Sequence, residues 1–213
     1  MHENIVRSFA LDAMERRGQE GMFTGEQAAT FLTMVTEIDV IRDITQRLEQ
    51  IDIPYMLTGS IAMNYYAEPR MTRDIDIVVE LGVSILDDFF AILEKDYYVP
   101  EDSVKQAIRD TTLFNIIHKE SVIKVDFIVR KNSEYRILEF KRRKQIHIGE
   151  TPIHIVSKED LILSKMYWTR ESRSEMQKKD ILNLMKSGYN EKYVEKWALH
   201  LNVMDIYMEC THG

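Results

Sequence analysis

Cysteine is almost missing from this sequence: Cys210 is the only one in 213 residues, so no internal disulfide framework holds the fold. Proline is scarce too, with 4 residues at positions 54, 69, 100 and 152, each reading as the edge of an element rather than as a linker. The 8 glycines are far too few for a collagen-like or low-complexity chain. No apolar run reaches signal-peptide or membrane-spanning length, and the opening stretch MHENIVRSFALDAMERRG carries charge throughout, which reads as a cytoplasmic protein. Excess positive charge is also absent. With 28 Lys and Arg against 35 Asp and Glu, the net charge is −7, so the molecule as a whole repels phosphate backbones, which argues against a general nucleic-acid coat protein.

What is present is ordinary globular composition, 45% hydrophobic and 30% charged, at a length suited to one domain or one domain with a helical appendage. Residues 1–23 read as a charged, helical lead-in, 24–156 as a core, and 157–213 as a helical region packed on that core. From Thr24, with Gln27 three residues on, apolar residues at Phe31, Met34, Val35, Ile38, Ile41 and Leu48 recur at helical spacing and predict an amphipathic helix of several turns. Tyr55-Met56-Leu57 predicts a short strand running into the turn Thr58-Gly59-Ser60, then a helix to about Tyr66.

In RMTRDIDIVVE, Ile75, Ile77 and Val79 alternate with Asp74, Asp76 and Glu80, a strand with one buried face. Further on, 84–95 reads as helix, 97–99 as extended, and Pro100-Glu101-Asp102 opens a short helix. Residues 112–117 and 121–130 read as paired strands, 133–143 as helix, and 145–148 and 153–156 as extended. Helices at about 158–170, 174–187, 190–200 and 202–210 close the sequence. The fold class is therefore mixed α/β (α+β) with a C-terminal helical tail.

The chemistry concentrates in the acids. On a strand rising about 3.3 Å per residue, Asp74 and Asp76 point to the same side, with their Cα atoms about 6.6 Å apart. In Lys124-Val125-Asp126-Phe127-Ile128-Val129, Val125, Phe127 and Val129 take the buried face, so Asp126 projects to the other. Three carboxylates gathered from neighbouring strands repel one another at about 4 kcal/mol per pair for a 4 Å separation at an effective dielectric of about 20. A divalent cation resolves that conflict. Hard oxygen ligands without a nearby thiol or histidine favour magnesium or manganese, and metal-assisted phosphoryl or nucleotidyl transfer needs such a cluster. Read alone, an Asp-x-Asp at a strand end is as readily a solvated rim. Its upstream partner changes this: Gly59 permits close backbone approach, and Ser60 opens a helix whose free N–H groups suit a phosphate.

The order apolar-Gly59-Ser60, then 13 residues, then Asp74-Ile75-Asp76-Ile77, then a later strand carrying Asp126 resembles the nucleotidyltransferase superfamily to which DNA polymerase beta belongs. The resemblance is clearest over residues 55–130. The segment IVSKEDLILSKMYWTRESRSEMQKKDILNL is similar to the helical tail of bacterial nucleotidyltransferases of the abortive-infection toxin type. The resemblance implies a mixed sheet flanked by helices, a nucleoside triphosphate held by Gly59 and Ser60, metals on Asp74 and Asp76, and Asp126 as a third carboxylate helping to deprotonate an acceptor hydroxyl. The acceptor is a tRNA or protein, or in the alternative an aminoglycoside or lincosamide antibiotic; a non-catalytic nucleotide-binding module is a further reading. An antitoxin partner is expected if the chain belongs to a toxin pair.

Arg70, Thr72 and Arg73 directly precede the acidic strand, where a guanidinium, Arg73 first, pairs with leaving pyrophosphate or simply neutralises the aspartates. In the tail, Lys158, Asp160, Lys165 and Asp180 fall where the related toxins carry charges facing the nucleotide cleft. Lys165 is the candidate for substrate binding, and a Lys165–Asp180 pair between helices is the structural alternative. The run Lys141-Arg142-Arg143-Lys144 either guides an acidic acceptor or forms a solvated helix end. His118, His147 and His154 lack metal-ligand spacing and read as sheet residues.

Overall fold

Alternation of apolar and polar residues builds the centre of the molecule, which a computed structural model describes over residues 35–70, 72, 74–172 and 174–212. The expected 1–23 lead-in lies outside these residues. The elements run α1 (Glu37–Gln50), β1 (Tyr55–Leu57), α2 (Gly59–Tyr66), β2 (Asp74–Val79), a short 3-10 turn (Val83–Ile85), α3 (Leu86–Leu93), β3 (Tyr97–Tyr98), α4 (Glu101–Asp110), β4 (Leu113–His118), β5 (Lys124–Val129), α5 (Glu134–Lys141), β6 (Lys144–Ile148), β7 (Thr151–Ile155), α6 (Lys158–Ser172), α7 (Glu175–Lys186), α8 (Glu191–His200) and α9 (Met204–His212). The mixed sheet has seven strands in the order β3-β4-β5-β2-β1-β7-β6, and no helix among the described residues is long and apolar enough to cross a membrane.

On β2, Ile75, Ile77 and Val79 are buried, and on β5 so are Val125, Phe127 and Val129, because a period of two sends alternate side chains to opposite faces. The two strands are parallel and pair Asp74 with Lys124, Asp76 with Asp126, and Ile77 with Phe127. Strand β1 joins β2 antiparallel and β7 parallel, leaving Leu57, the last residue of β1, beside Ile155 at the end of β7. His118, His147 and His154 all lie in strands.

Helix α1 begins later than the spacing predicts. Thr36 is extended (φ −96°, ψ 167°) and forms a reciprocal capping box with Asp39, so an unbroken helix from Thr24 is corrected to one that opens at Glu37. The extended cap residue interrupts any helix there. Phe31 and Met34 lie outside the described residues. Helix α1 packs against α3 and β7.

Helix α6 is buried on more than one face. Leu161, Ile162, Leu163 and Met166 are all buried, and so are the polar Asp160, Ser164, Lys165 and Thr169. The helix is enclosed by α2, α7, α8 and α9; an enclosed helix needs no polar face, only partners for its polar groups.

Candidate active site

Gly59 begins α2 with φ +62°, a left-handed backbone that glycine adopts without penalty. A Cβ there would lie 2.0 Å from Oδ2 and 3.0 Å from Cβ of Asp76, so the turn packs its bare backbone onto that carboxylate. The N–H of Thr58 donates to the Asp76 carbonyl at 2.9 Å, fixing the turn to β2. No side chain caps α2 at Thr58, and the first helical bond runs from Ala62 N–H to Thr58 O; the opening amides are thus left to a ligand or water.

On the non-core face of β2 and β5, Asp74 and Asp76 stand beside Lys124 and Asp126, two per strand in cross-strand register. Lys124 Nζ lies 2.8 Å from Asp126 Oδ2 and 3.6 Å from Asp74 Oδ1. Its hydrogen bond to Asp126 raises its pKa. Asp126 Oδ1 is buried with no hydrogen-bond partner. Burial, followed by the charges of Asp126 and Asp74, pushes the Asp76 carboxyl up to about 6.

The three acids thus come together as neighbours, but not as the bare oxygen trio expected. Among the described residues no three Asp, Glu, His or Cys side chains are already gathered as a metal cage, and the Lys124 ammonium stands between Asp74 and Asp126. The donor set still fits a hard divalent cation: carboxylate oxygens only, one of them buried and unpartnered, beside a carboxyl that burial makes reluctant to ionise. The alternation that places Asp126 also places Lys124. It lies two residues before Asp126, hence on the same strand face.

A second polar network reaches the Gly59–Ser60 turn from the helical tail. Arg70 donates from Nη2 to Ser60 Oγ at 2.7 Å and to Asp180 Oδ2 at 3.0 Å, and from Nε to Asp180 Oδ1 at 3.2 Å. Lys165 Nζ donates to the same Asp180 Oδ2 at 2.8 Å and to Gln177 Oε1 at 3.1 Å. Burial works against the Asp180 charge, but the hydrogen bonds from Arg70 and Lys165 outweigh it and hold the carboxyl low. Burial in turn lowers the Lys165 pKa, with Asp180 and then Asp76 among the charges that oppose the shift. The loop carrying Arg70 is pinned by Asn64, whose side chain accepts from Arg70 N–H and donates to Arg70 O, both at 2.9 Å.

The predicted residues sort unequally. Gly59, Ser60, Arg70, Asp74, Asp76, Asp126 and Lys165 come together around the turn and the acidic face. Thr72 donates to the Asp74 carbonyl at 3.4 Å, and Arg73 lies outside the described residues. Asp160 and Lys158 are corrections. Asp160 is fully buried, accepting from Arg142 at 2.9 Å and Tyr193 at 2.7 Å, because α6 is enclosed on that side; Lys158 donates to Ser187 and Gly188 after α7. The basic run is partly consumed in the same way: Arg142 pairs with Asp160 and lies 4.0 Å above the Tyr193 ring, and Arg143 lies 4.4 Å above Phe140. Asn64 and Gln177 were not foreseen, since nothing local in sequence links them to Arg70 and Lys165.

No protein-family model matches this chain, and no curated protein matches it. Among solved structures, the crystal structure of an antigenic nucleotidyltransferase-like protein from Paracoccidioides brasiliensis is similar at 13% identity with a TM-score of 0.54, over 81% of this chain and 87% of that one. The solution structure of the antibiotic-resistance factor ANT(2'')-Ia is similar at 14% identity and TM-score 0.50, over 83% and 96% of the two chains. The crystal structure of ANT(2'')-Ia with adenylyl-2''-tobramycin gives 13%, 0.51, 79% and 98%. These likenesses span most of each chain and agree with the mixed sheet, so this chain has the fold of the nucleotidyltransferase superfamily.

Proposed function

We propose that this protein is a magnesium- or manganese-dependent nucleotidyltransferase that moves a nucleoside monophosphate from a nucleoside triphosphate to an acceptor hydroxyl, with tRNA as the leading acceptor. One observation carries the reading: Asp76 lies against the Gly59 turn on one side and in register with Asp126 on the other. A phosphate on the turn and a carboxylate face beside it are the two halves of a nucleotidyl-transfer site.

Gly59 and Ser60 hold the triphosphate through backbone amides and the Ser60 hydroxyl, while Arg70, hydrogen-bonded to that hydroxyl, faces the charge that builds on the leaving pyrophosphate. Asp74 and Asp76, with Asp126, would hold the divalent ion, which supplies neutralisation of the phosphate oxygens. Asp126 takes the proton of the acceptor hydroxyl as its oxygen attacks the α-phosphorus; the bond from that phosphorus to the bridging oxygen breaks and pyrophosphate departs. Alignment and charge neutralisation do most of the work.

The tRNA assignment rests on the resemblance of residues 155–184 to toxin-type tails. A second reading is favoured by the similarity to ANT(2'')-Ia, solved with an adenylylated tobramycin, and by a net charge of −7 that suits a cationic antibiotic. The test is label transfer from each α-labelled triphosphate, with magnesium or manganese, to total RNA, to protein and to an aminoglycoside and lincosamide panel. Label on tRNA that disappears with Asp76→Asn supports the first reading, and label on a drug alone supports the second. Triphosphate binding with no pyrophosphate release from any acceptor pool would make the protein a non-catalytic binding module.

A further inference from the structure

Asp74, Asp76 and Asp126 bring three negative charges to one face of two strands, and Lys124 is the cation already among them. Its position is not that of a surface lysine drawn in by chance. The parallel register sets Lys124 directly across from Asp74 while Asp126 follows it by one same-face step on its own strand. Its ammonium therefore reaches one carboxylate across the strand pair and one along it, at 3.6 and 2.8 Å. Asp76 is the acid Lys124 does not contact through an ion pair, and it is the one whose carboxyl packs against the Gly59 turn.

We infer that the Lys124 ammonium is a resident cation of this site, filling the position between Asp74 and Asp126 that a second divalent ion would otherwise take, so that the protein binds one divalent ion per nucleotide. The inference rests on the nucleotidyl-transfer reading and deepens it. Local repulsion supports it: a second divalent ion placed between Asp74 and Asp126 would stand a few ångströms from the ammonium already there. Geometry supports it as well. The ammonium uses oxygens of Asp74 and Asp126, leaving the Asp76 side of the face, nearest the phosphate-binding turn, for the ion that arrives with the nucleotide.

The measurement is equilibrium dialysis of the full chain against Mn2+ with each of the four α,β-methylene nucleoside triphosphates, which cannot transfer. The excess manganese and excess nucleotide in the protein compartment are both counted. The expected ratio is 1:1 for wild type, 2:1 for Lys124→Met, and 1:1 again for Lys124→Arg, which keeps a cation in place. Circular dichroism establishes that the variants are folded, with Lys124→Gln as the substitute should Lys124→Met fail. A ratio of 2:1 in wild type overturns the inference and leaves nucleotidyl transfer standing, and so does 1:1 in both wild type and Lys124→Met. Wild type that retains neither manganese nor any of the four analogues removes the inference together with the reading beneath it.

Discussion

A methyl group placed on Gly59 would stand 2.0 Å from Oδ2 of Asp76. This one approach ties the phosphate turn to the acidic strand: the turn is positioned by how closely its backbone can lie on a carboxylate. Gly59→Ala meets two penalties at once, a left-handed φ of +62° that costs an alanine ~1 kcal/mol and the displacement of Asp76. Thermal denaturation should show a loss of ~1–3 kcal/mol, and manganese binding and label transfer should fall together. Retention of manganese affinity with full stability in Gly59→Ala would separate the turn from the acids.

Asp76 sets a pH dependence. Its carboxyl is raised from 3.8 to about 6 by burial and by Asp126 and Asp74, so the folded, metal-free protein binds this proton more tightly than the unfolded chain. The stability it contributes is fully present below pH 3.8 and is lost as pH rises through about 6. Asp76→Asn carries no such proton. The metal-free variant should therefore exceed wild type by ~2–3 kcal/mol at neutral pH, and the gap should close at low pH. A Tm difference that does not change with pH would show that Asp76 ionises freely. Manganese binding to wild type should weaken as pH falls below about 6, because the ion competes with the proton on this carboxyl.

Much of this arrangement could be read from the sequence because it is written in short-range spacing. Alternation placed Asp74, Asp76 and Asp126 opposite the buried Ile75, Ile77, Val125 and Phe127, and parallel pairing then put Asp76 beside Asp126. Lys124 was equally legible by the same alternation; what hid its role was the expectation that only carboxylates would meet there. The Ser60–Arg70–Asp180–Lys165 chain was legible only as a Lys165–Asp180 pair. Arg70 and Asp180 are 110 residues apart, and no local pattern reports that α7 brings its acid to the loop after α2. Asp160 misled for a related reason. A charge on a helix reads as solvent-facing until tertiary packing encloses that helix, and α6 is enclosed.

Asp180 serves two cations, and that sharing predicts a ranking. Asp180→Asn takes the carboxylate partner from the buried Lys165 ammonium, whereas Lys165→Met leaves Asp180 still paired with Arg70. Breaking a buried pair by removing one partner costs ~3–5 kcal/mol, so urea denaturation should place Asp180→Asn in that range and Lys165→Met clearly below it. The double variant should be more stable than Asp180→Asn alone, since it removes the stranded ammonium. Equal losses for the two single variants would mean that Arg70 does not share the carboxylate.

The basic run 141–144 divides into partly buried and exposed charges, and the division decides whether it guides an acceptor. Arg142 is one of several partners of the fully buried Asp160 and lies over Tyr193, so Arg142→Ala should cost ~2 kcal/mol through the lost charge pair and cation–π contact. Its effect on transfer would then follow its effect on folding. Lys141 and Lys144 are exposed, and Lys141→Ala should change stability by no more than ~0.5 kcal/mol. If the run steers RNA, the Lys141→Ala, Lys144→Ala double variant should lose transfer to tRNA most at low salt, where exposed charges are least screened, and converge on wild type as salt rises. Transfer to a small antibiotic in the same variant serves as the internal control and should stay unchanged. A double variant that labels tRNA as well as wild type at every salt concentration would leave these lysines as solvated charges at the end of α5 and the start of β6 and move the acceptor's docking surface elsewhere on the molecule.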